Sequence, residues 1–93
     1  MKPVRFRAPA MREYCHSCWW YANQRPGLDD EFTACIEAVL EQIQRCPTAG
    51  AMVTATVRRV LVRRFPYGLY YRNHRDHIEI IGCRHQRRRL PAR

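Results

Sequence analysis

His85 stands in the run Arg84-His85-Gln86-Arg87-Arg88 near the end of the chain. An imidazole titrates near neutral pH, so it can take up or give a proton in water. Guanidinium groups beside it can neutralise charge that develops on a phosphate. Together they fit metal-independent phosphodiester cleavage, which needs a base, an acid and cations. They equally fit a basic binding patch in which His85 only orders the tail through a hydrogen bond. The other constellation with chemistry is Cys15-His16-Ser17-Cys18, a C-x-x-C. A zinc site would need two further ligands at short spacing, and no second C-x-x-C exists. Cys15 and Cys18 share helical spacing with Met11 and Trp19, so they read as core residues, and neither a metal nor another cofactor is expected. The five cysteines are odd in number and no export signal accompanies them, which points to reduced thiols and not to a disulfide framework.

Charge sharpens the choice. Of the 93 residues, those from 1 to 52 carry six basic and six acidic side chains, which cancel. Residues 53–93 carry eleven arginines against Asp76 and Glu79, so the whole net charge of +9 lies there. Sixteen of the seventeen basic residues are arginine, the side chain suited to bidentate contact with phosphate or carboxylate. The expected partner is therefore a polyanion, either nucleic acid or an acidic protein segment. Ninety-three residues suffice for one domain with one modest core. No run of about 18 apolar residues is present to span a membrane. The basic start, Met1 to Arg7, lacks the apolar stretch of a secretory signal, so a cytoplasmic protein is the expectation.

The elements that must position these residues follow from periodicity. Val4, Phe6 and Ala8 alternate with Arg5 and Arg7, which predicts a short half-buried strand. Pro9 can open a helix, where its missing N–H costs nothing. Met11, Tyr14, Cys15, Cys18, Trp19 and Ala22 recur at helical spacing and predict one apolar stripe. Of Trp19, Trp20 and Tyr21, one indole is expected on the sheet and the other in solvent or on a partner. Asn23 to Gly27 breaks the helix. Leu28, Phe32, Cys35, Ile36, Val39, Leu40, Ile43 and Cys46 give a second stripe, with Asp29, Asp30 and Glu31 in the favourable first turn. Pro47 and Gly50 stop it.

After Gly50 the period becomes two. Val53, Ala55, Val57 and Arg59 alternate and run on through Val60-Leu61-Val62. Leu69 to Arg72 and His77 to Cys83 are two further strands, separated by polar turns. The expectation is an α+β domain of order β-α-α-β-β-β. An N-terminal strand and an αα-hairpin precede a three-stranded antiparallel meander, with one sheet face left for arginines. Tyr70 and Tyr71 must point to opposite faces, one to core and one to surface.

Three segments resemble one family. Arg25-Pro26-Gly27-Leu28-Asp29-Asp30-Glu31-Phe32 resembles the inter-helix turn of the RelE/ParE toxins. Arg63-Arg64-Phe65-Pro66-Tyr67-Gly68-Leu69-Tyr70-Tyr71 resembles their central hairpin. Ile78 to Arg88, with Pro91 nearby, resembles their last strand. The resemblance covers nearly the whole chain in order. It implies a bacterial type II toxin that arrests growth and is neutralised by a cognate acidic antitoxin, with DNA reached only through the toxin–antitoxin complex.

The family has two activities. One branch cuts messenger RNA on the ribosome, and the other poisons DNA gyrase. Gly68 stands where the nuclease branch carries an arginine, Leu61 falls on one of its lysine positions, and the tail has no tyrosine. The resemblance therefore leans toward the gyrase-directed branch and toward a protein that is not an enzyme. If it is a metal-independent endoribonuclease instead, His85, Arg59 and Arg88 are its candidate catalytic residues, Arg59 standing in for a family lysine. Candidates for holding a target or nucleic acid are Arg58, Arg63, Arg64, Tyr71, Arg84, Arg87, Arg88 and Arg89. Trp20 and Arg72 are candidates for antitoxin contact. A plain basic nucleic-acid-binding module is the remaining alternative, although no helix here carries the basic residues of a recognition helix.

Overall fold

A computed structural model describes residues 1–87. The elements run β1 (Val4–Phe6), α1 (Ala8–Ala22), α2 (Leu28–Arg45), β2 (Ala51–Met52), β3 (Arg58–Leu61), β4 (Tyr67–Asn73) and β5 (Ile78–His85). The strands form one sheet in the order β1-β5-β4-β3-β2. β3, β4 and β5 are the expected antiparallel meander. β1 joins its edge in parallel with β5, pairing Val4 with Ile78 and Phe6 with Ile80. Both helices pack on one face of this sheet.

Strand β4 sets the faces. Tyr67, Leu69 and Tyr71 are buried toward the helices, where they meet Phe32, Ile36 and Ile43 of α2 and Ile78, Ile80 and Cys83 of β5. Tyr21, Phe32, Phe65 and Tyr67 form an aromatic cluster with neighbouring centroids 5.0–6.2 Å apart. Most of these contacts are edge-on or tilted, the arrangement that ring quadrupoles favour. Between Tyr70 and Tyr71 the ladder shifts register. Gly82 pairs with Tyr70 and Ile80 with Tyr71, so Ile81 is left over as a bulge.

Three expectations are corrected. The buried stripe of α1 is Ala10, Ser17 and Tyr21, with Tyr14 and Cys18 half-buried. It shares Tyr14 and Cys18 with the stripe read from spacing, whose other members, Met11, Cys15, Trp19 and Ala22, are exposed. Two apolar stripes lie next to each other on this helix and the sheet covers only one. The buried Ser17 hydroxyl donates to the Glu13 carbonyl, a bond available inside its own helix. Second, neither indole is in the core. Trp19 is 63% exposed and Trp20 41%, and the neighbouring Tyr21 takes the inward position. Third, residues 53–57 are not strand. Thr54 Oγ1 accepts from the backbone N–H groups of Thr56 and Val57, which closes a tight loop between the short β2 and β3.

The link between α2 and β2 is pinned from the sheet. The Tyr71 hydroxyl donates to the Pro47 carbonyl at 2.7 Å. Arg58 Nη1 donates to the carbonyls of Thr48 and Gly50, both at 2.8 Å. A Cβ on Gly50 would lie 2.6 Å from the Tyr71 oxygen, so only glycine leaves room for this approach. Gly50→Ala should therefore cost about 1–3 kcal/mol of stability in urea unfolding, the usual cost of overpacking. The same substitution should cost less in a Tyr71→Phe background, where the crowding oxygen is gone. Strict additivity of the two changes would show that this contact is not what requires glycine.

Candidate functional site

The face of the sheet turned away from the helices is built by the other parity. Strand pairing places Arg59 beside Tyr70, Leu61 beside Gly68, Gly68 beside Arg84, and Tyr70 beside Gly82. Arg5 and Arg72 flank Glu79 in the same way at the far end. Two glycines on this face leave a shallow floor, and the side chains around them fold over it. The Arg84 guanidinium carbon lies 5.2 Å from the centroid of the Tyr70 ring, within cation–π range.

Gln86 closes the group. Its Oε1 accepts from Arg59 Nη1 at 3.1 Å, and the Tyr70 hydroxyl lies 3.4 Å from the same oxygen. Its Nε2 lies 3.1 Å from that hydroxyl and 3.1 Å from the Arg84 carbonyl. A Cβ on Gly68 would sit 3.0 Å from the Gln86 amide nitrogen, so the bare glycine gives the amide its place. Arg59 Nε is buried without a hydrogen-bond partner. Burial alone would raise the Tyr70 phenol. Hydrogen bonds from Gln86 and Arg59 and the charges of Arg59 and Arg84 outweigh it, so the phenol lies below the ordinary tyrosine value.

The far end of the face is different, because its charges are paired. Glu79 lies 2.8 Å from His74 Nε2, 3.6 Å from Arg7 and 3.7 Å from Arg72. His74 holds the Glu79 carboxyl below its ordinary value against some burial, and Arg7 and Arg72 add to the effect. Arg72 is thus tied within the sheet surface. Its side chain remains about one-third exposed, at 35%.

The residues singled out from sequence are not all brought together. His85 pairs with Tyr67 and so points to the helix side, opposite Arg59. Its ring meets Tyr67 edge-on at 5.2 Å, and its Nδ1 accepts from the Arg87 backbone N–H at 3.1 Å. Tyr71 is fully buried and cannot touch a target, which corrects its place among the binding candidates; the surface tyrosine of the pair is Tyr70. Arg58 also shares the helix-side face with Tyr71, and its guanidinium is spent on the carbonyls of the α2–β2 link. Arg63 is exposed, whereas Arg64 is held to Glu31 at 3.1 Å and has a left-handed backbone, φ 74. Arg84 and Arg87 are exposed. Trp20 is exposed on α1 with one edge against Tyr21. Arg88 and Arg89 lie outside the described residues.

Sequence places Tyr70 only as one of a pair with Tyr71, one of which must face outward, and it does not mark Gln86 at all. The parity of β4 was open because its start at Tyr67 was hidden inside a segment read as turn. Gln86 follows the last strand residue and has no signal in composition or period.

The cysteines separate by environment. Cys15 and Cys46 are exposed, and Cys83 is buried. Glu13 of α1 reaches the uncovered edge of β5 and accepts from the Cys83 N–H at 2.9 Å. Burial, aided by the Glu13 carboxylate and Cys18, pushes the Cys83 thiol up to about 12. Among the described residues no cluster of three or more histidine, cysteine or acidic side chains could hold a metal. In the native protein at neutral pH, a thiol reagent should modify Cys15 and Cys46 first and Cys83 last. Equal rates at all three, followed by mass spectrometry, would contradict this ordering.

The fold so built is the RelE/ParE-like one. A chain of the chromosomal ParDE TA system from P. aeruginosa superposes with a TM-score of 0.78 at 17% identity, covering 91% of this chain and 96% of that one. The YoeB dimer from Staphylococcus aureus superposes with a TM-score of 0.63 at 18% identity, covering 89% of this chain and 94% of that one. No family model and no curated protein matches the sequence. No helix among the described residues is long and apolar enough to cross a membrane.

Proposed function

We propose that this chain is the toxin of a type II toxin–antitoxin pair, that it grips its target through the arginine face, and that the target is DNA gyrase. A cognate acidic antitoxin neutralises it. The observation that carries the gyrase reading is the position of His85. Its ring lies against Tyr67 on the helix side of the sheet, and one ring nitrogen is occupied by the Arg87 N–H. Among the described residues no imidazole lies beside Arg59 and Arg84 at the β3 end of the arginine face, since His74 sits on Glu79 at the other end, and the cations there act as a binding surface. The likeness in fold to a ParDE chain over nearly the whole length supports the toxin reading.

One observation favours the second reading, a ribosome-dependent messenger RNA endonuclease. Tyr70 lies on the arginine face with its phenol below the ordinary value, beside Arg59 and Arg84. It stands where a ribose hydroxyl held by the two arginines would meet it.

Expression of His85→Gln and Tyr70→Phe separates the two readings. A gyrase-directed toxin should keep most of its growth arrest in both variants and inhibit supercoiling by purified gyrase. Arg84→Ala and Arg87→Ala should each weaken it partially, since one charge-assisted contact is worth about 1.5–3 kcal/mol. In a nuclease, loss of the proton-transfer group costs about 10²–10⁴ in rate. Loss of arrest in Tyr70→Phe, with the unaltered protein cleaving messages and sparing gyrase, would overturn the gyrase reading.

A further inference from the structure

Two donors, Arg59 Nη1 and the Tyr70 hydroxyl, approach one oxygen, and that oxygen belongs to a neutral amide just beyond the end of β5. We propose that Gln86 is an internal stand-in for a carboxylate, and that Arg59, Tyr70 and Arg84 form the seat on which an extended acidic peptide docks when it displaces the Gln86 side chain.

The donor geometry supports this reading. An amide offers Arg59 a single acceptor, and Arg59 Nε is left without one. A carboxylate has two oxygens and can accept two parallel N–H bonds along one guanidinium edge, the Nε edge included, whereas a glutamine offers one oxygen. The carboxylate also brings a negative charge to Arg59, whose hydrogen-bond partner here is neutral, whereas Arg84 already meets Glu13 at 3.6 Å. Gly68 and Gly82 supply room for the incoming group. At Gly68 that room is now taken by Gln86, and at Gly82 by the folded-back Arg84 side chain.

The surroundings favour a peptide over a nucleic acid. A groove of about 470 Å³ runs on from Gln86 between Leu61, Phe65 and Pro66, with Arg64 and Arg87 at its rim. Leu61 is 56% exposed and follows Arg59 at two residues' distance on the same face of β3. An extended chain repeats its side chains at that same spacing. A segment with an acidic residue and an apolar residue two positions apart would set one on Arg59 and the other on Leu61. A sugar–phosphate backbone has no use for the apolar floor. The identity of the peptide as an antitoxin segment rests on the toxin reading above; the chemistry of the seat does not.

The test uses the full chain and three labelled probes: a synthetic peptide repeating glutamate-serine-leucine-serine, which puts glutamate and leucine two positions apart on one face, its counterpart with glutamine for glutamate, and an oligouridylate of similar length. Binding is followed by fluorescence anisotropy. The glutamate peptide should bind at least about tenfold more tightly than the glutamine peptide, the worth of one charge-assisted contact. Arg59→Gln should weaken it by a similar factor. Tyr70→Phe, which keeps the ring and removes only the donor, should weaken it several-fold. Gln86→Ala should strengthen it, because the competing amide is gone. Arg75→Ala, which removes an exposed arginine in the β4–β5 turn, should leave it nearly unchanged. Weaker binding by Gln86→Ala, equal losses in Arg59→Gln and Arg75→Ala, or a preference for the oligouridylate at the same residues would overturn the seat. Because binding is measured on purified protein, a chain that binds the peptide but does not arrest growth would sink the toxin reading and leave the seat standing.

Discussion

The burial of Tyr67, Leu69 and Tyr71 along one side of β4 is the constraint on which the rest of the structure depends. Strand side chains alternate, so committing these three to the helices commits Gly68, Tyr70 and Arg72 to the opposite face. The neighbours follow through the ladder. Cys83 and His85 go inward beside Leu69 and Tyr67, and Arg84 goes outward beside Gly68. Tyr71 extends the same commitment beyond the sheet, since its hydroxyl holds the carbonyl that ends the helical hairpin. A one-residue slip would bury Tyr70 and Arg84 and expose the core, a loss of several buried side chains worth roughly 1.5–3 kcal/mol each. The arginine face is thus a consequence of the core and not an independent design.

Charge on that face is unequally compensated. At the β1 end, Glu79 is shared among Arg7, Arg72 and His74, so two of the arginines there have a carboxylate partner. At the β3 end, Arg59 meets a neutral amide, and Arg84 lies between a tyrosine ring and Glu13. Exposed ion pairs contribute little to stability, so Glu79 matters less for holding the fold than for silencing one half of the surface. The uncompensated field is left at the half where the two glycines make space.

How much of this was legible in the sequence depended on which signal each residue carried. The order of elements was readable because hydrophobic period changes from helical to alternating at Gly50. The α2 face is readable through Ile43 because a single stripe there faces a single polar side, whereas Cys46, read into that stripe, lies just past the helix end and is exposed. On α1 the reading failed, since Met11, Cys15 and Trp19 form a second stripe next to Ala10, Tyr14, Ser17 and Tyr21. Only packing against the sheet decides between them. Val53 to Val57 alternates like a strand, but the Thr54 hydroxyl offers the backbone a local partner and closes a loop. The charge asymmetry points to the β3 end of the arginine face, whereas Arg5 and Arg7 reach its far end from β1 in the balanced half of the chain. It could not say that Arg58 turns inward to bind carbonyls while Arg59 turns outward, a distinction that strand parity alone makes.

Gly68 joins these strands of reasoning. In the sequence it is a departure from the arginine that the nuclease branch of the resembling family carries, and taken alone it reads as a loss. In the fold it removes a side chain from the centre of the arginine face, and the space admits Gln86. What remains is a surface whose cations are directed at one small opening, occupied by a weak internal acceptor. A buried guanidinium nitrogen without a partner costs roughly 1–3 kcal/mol. Any ligand that supplies the missing acceptor recovers part of that cost, so binding at this face and stability of the fold are coupled. In a domain of this size the folded margin is small, and a ligand at a hundred times its dissociation constant would add about 2.7 kcal/mol to it. A partner that covers the face would therefore block the surface and stabilise the chain through the same contacts.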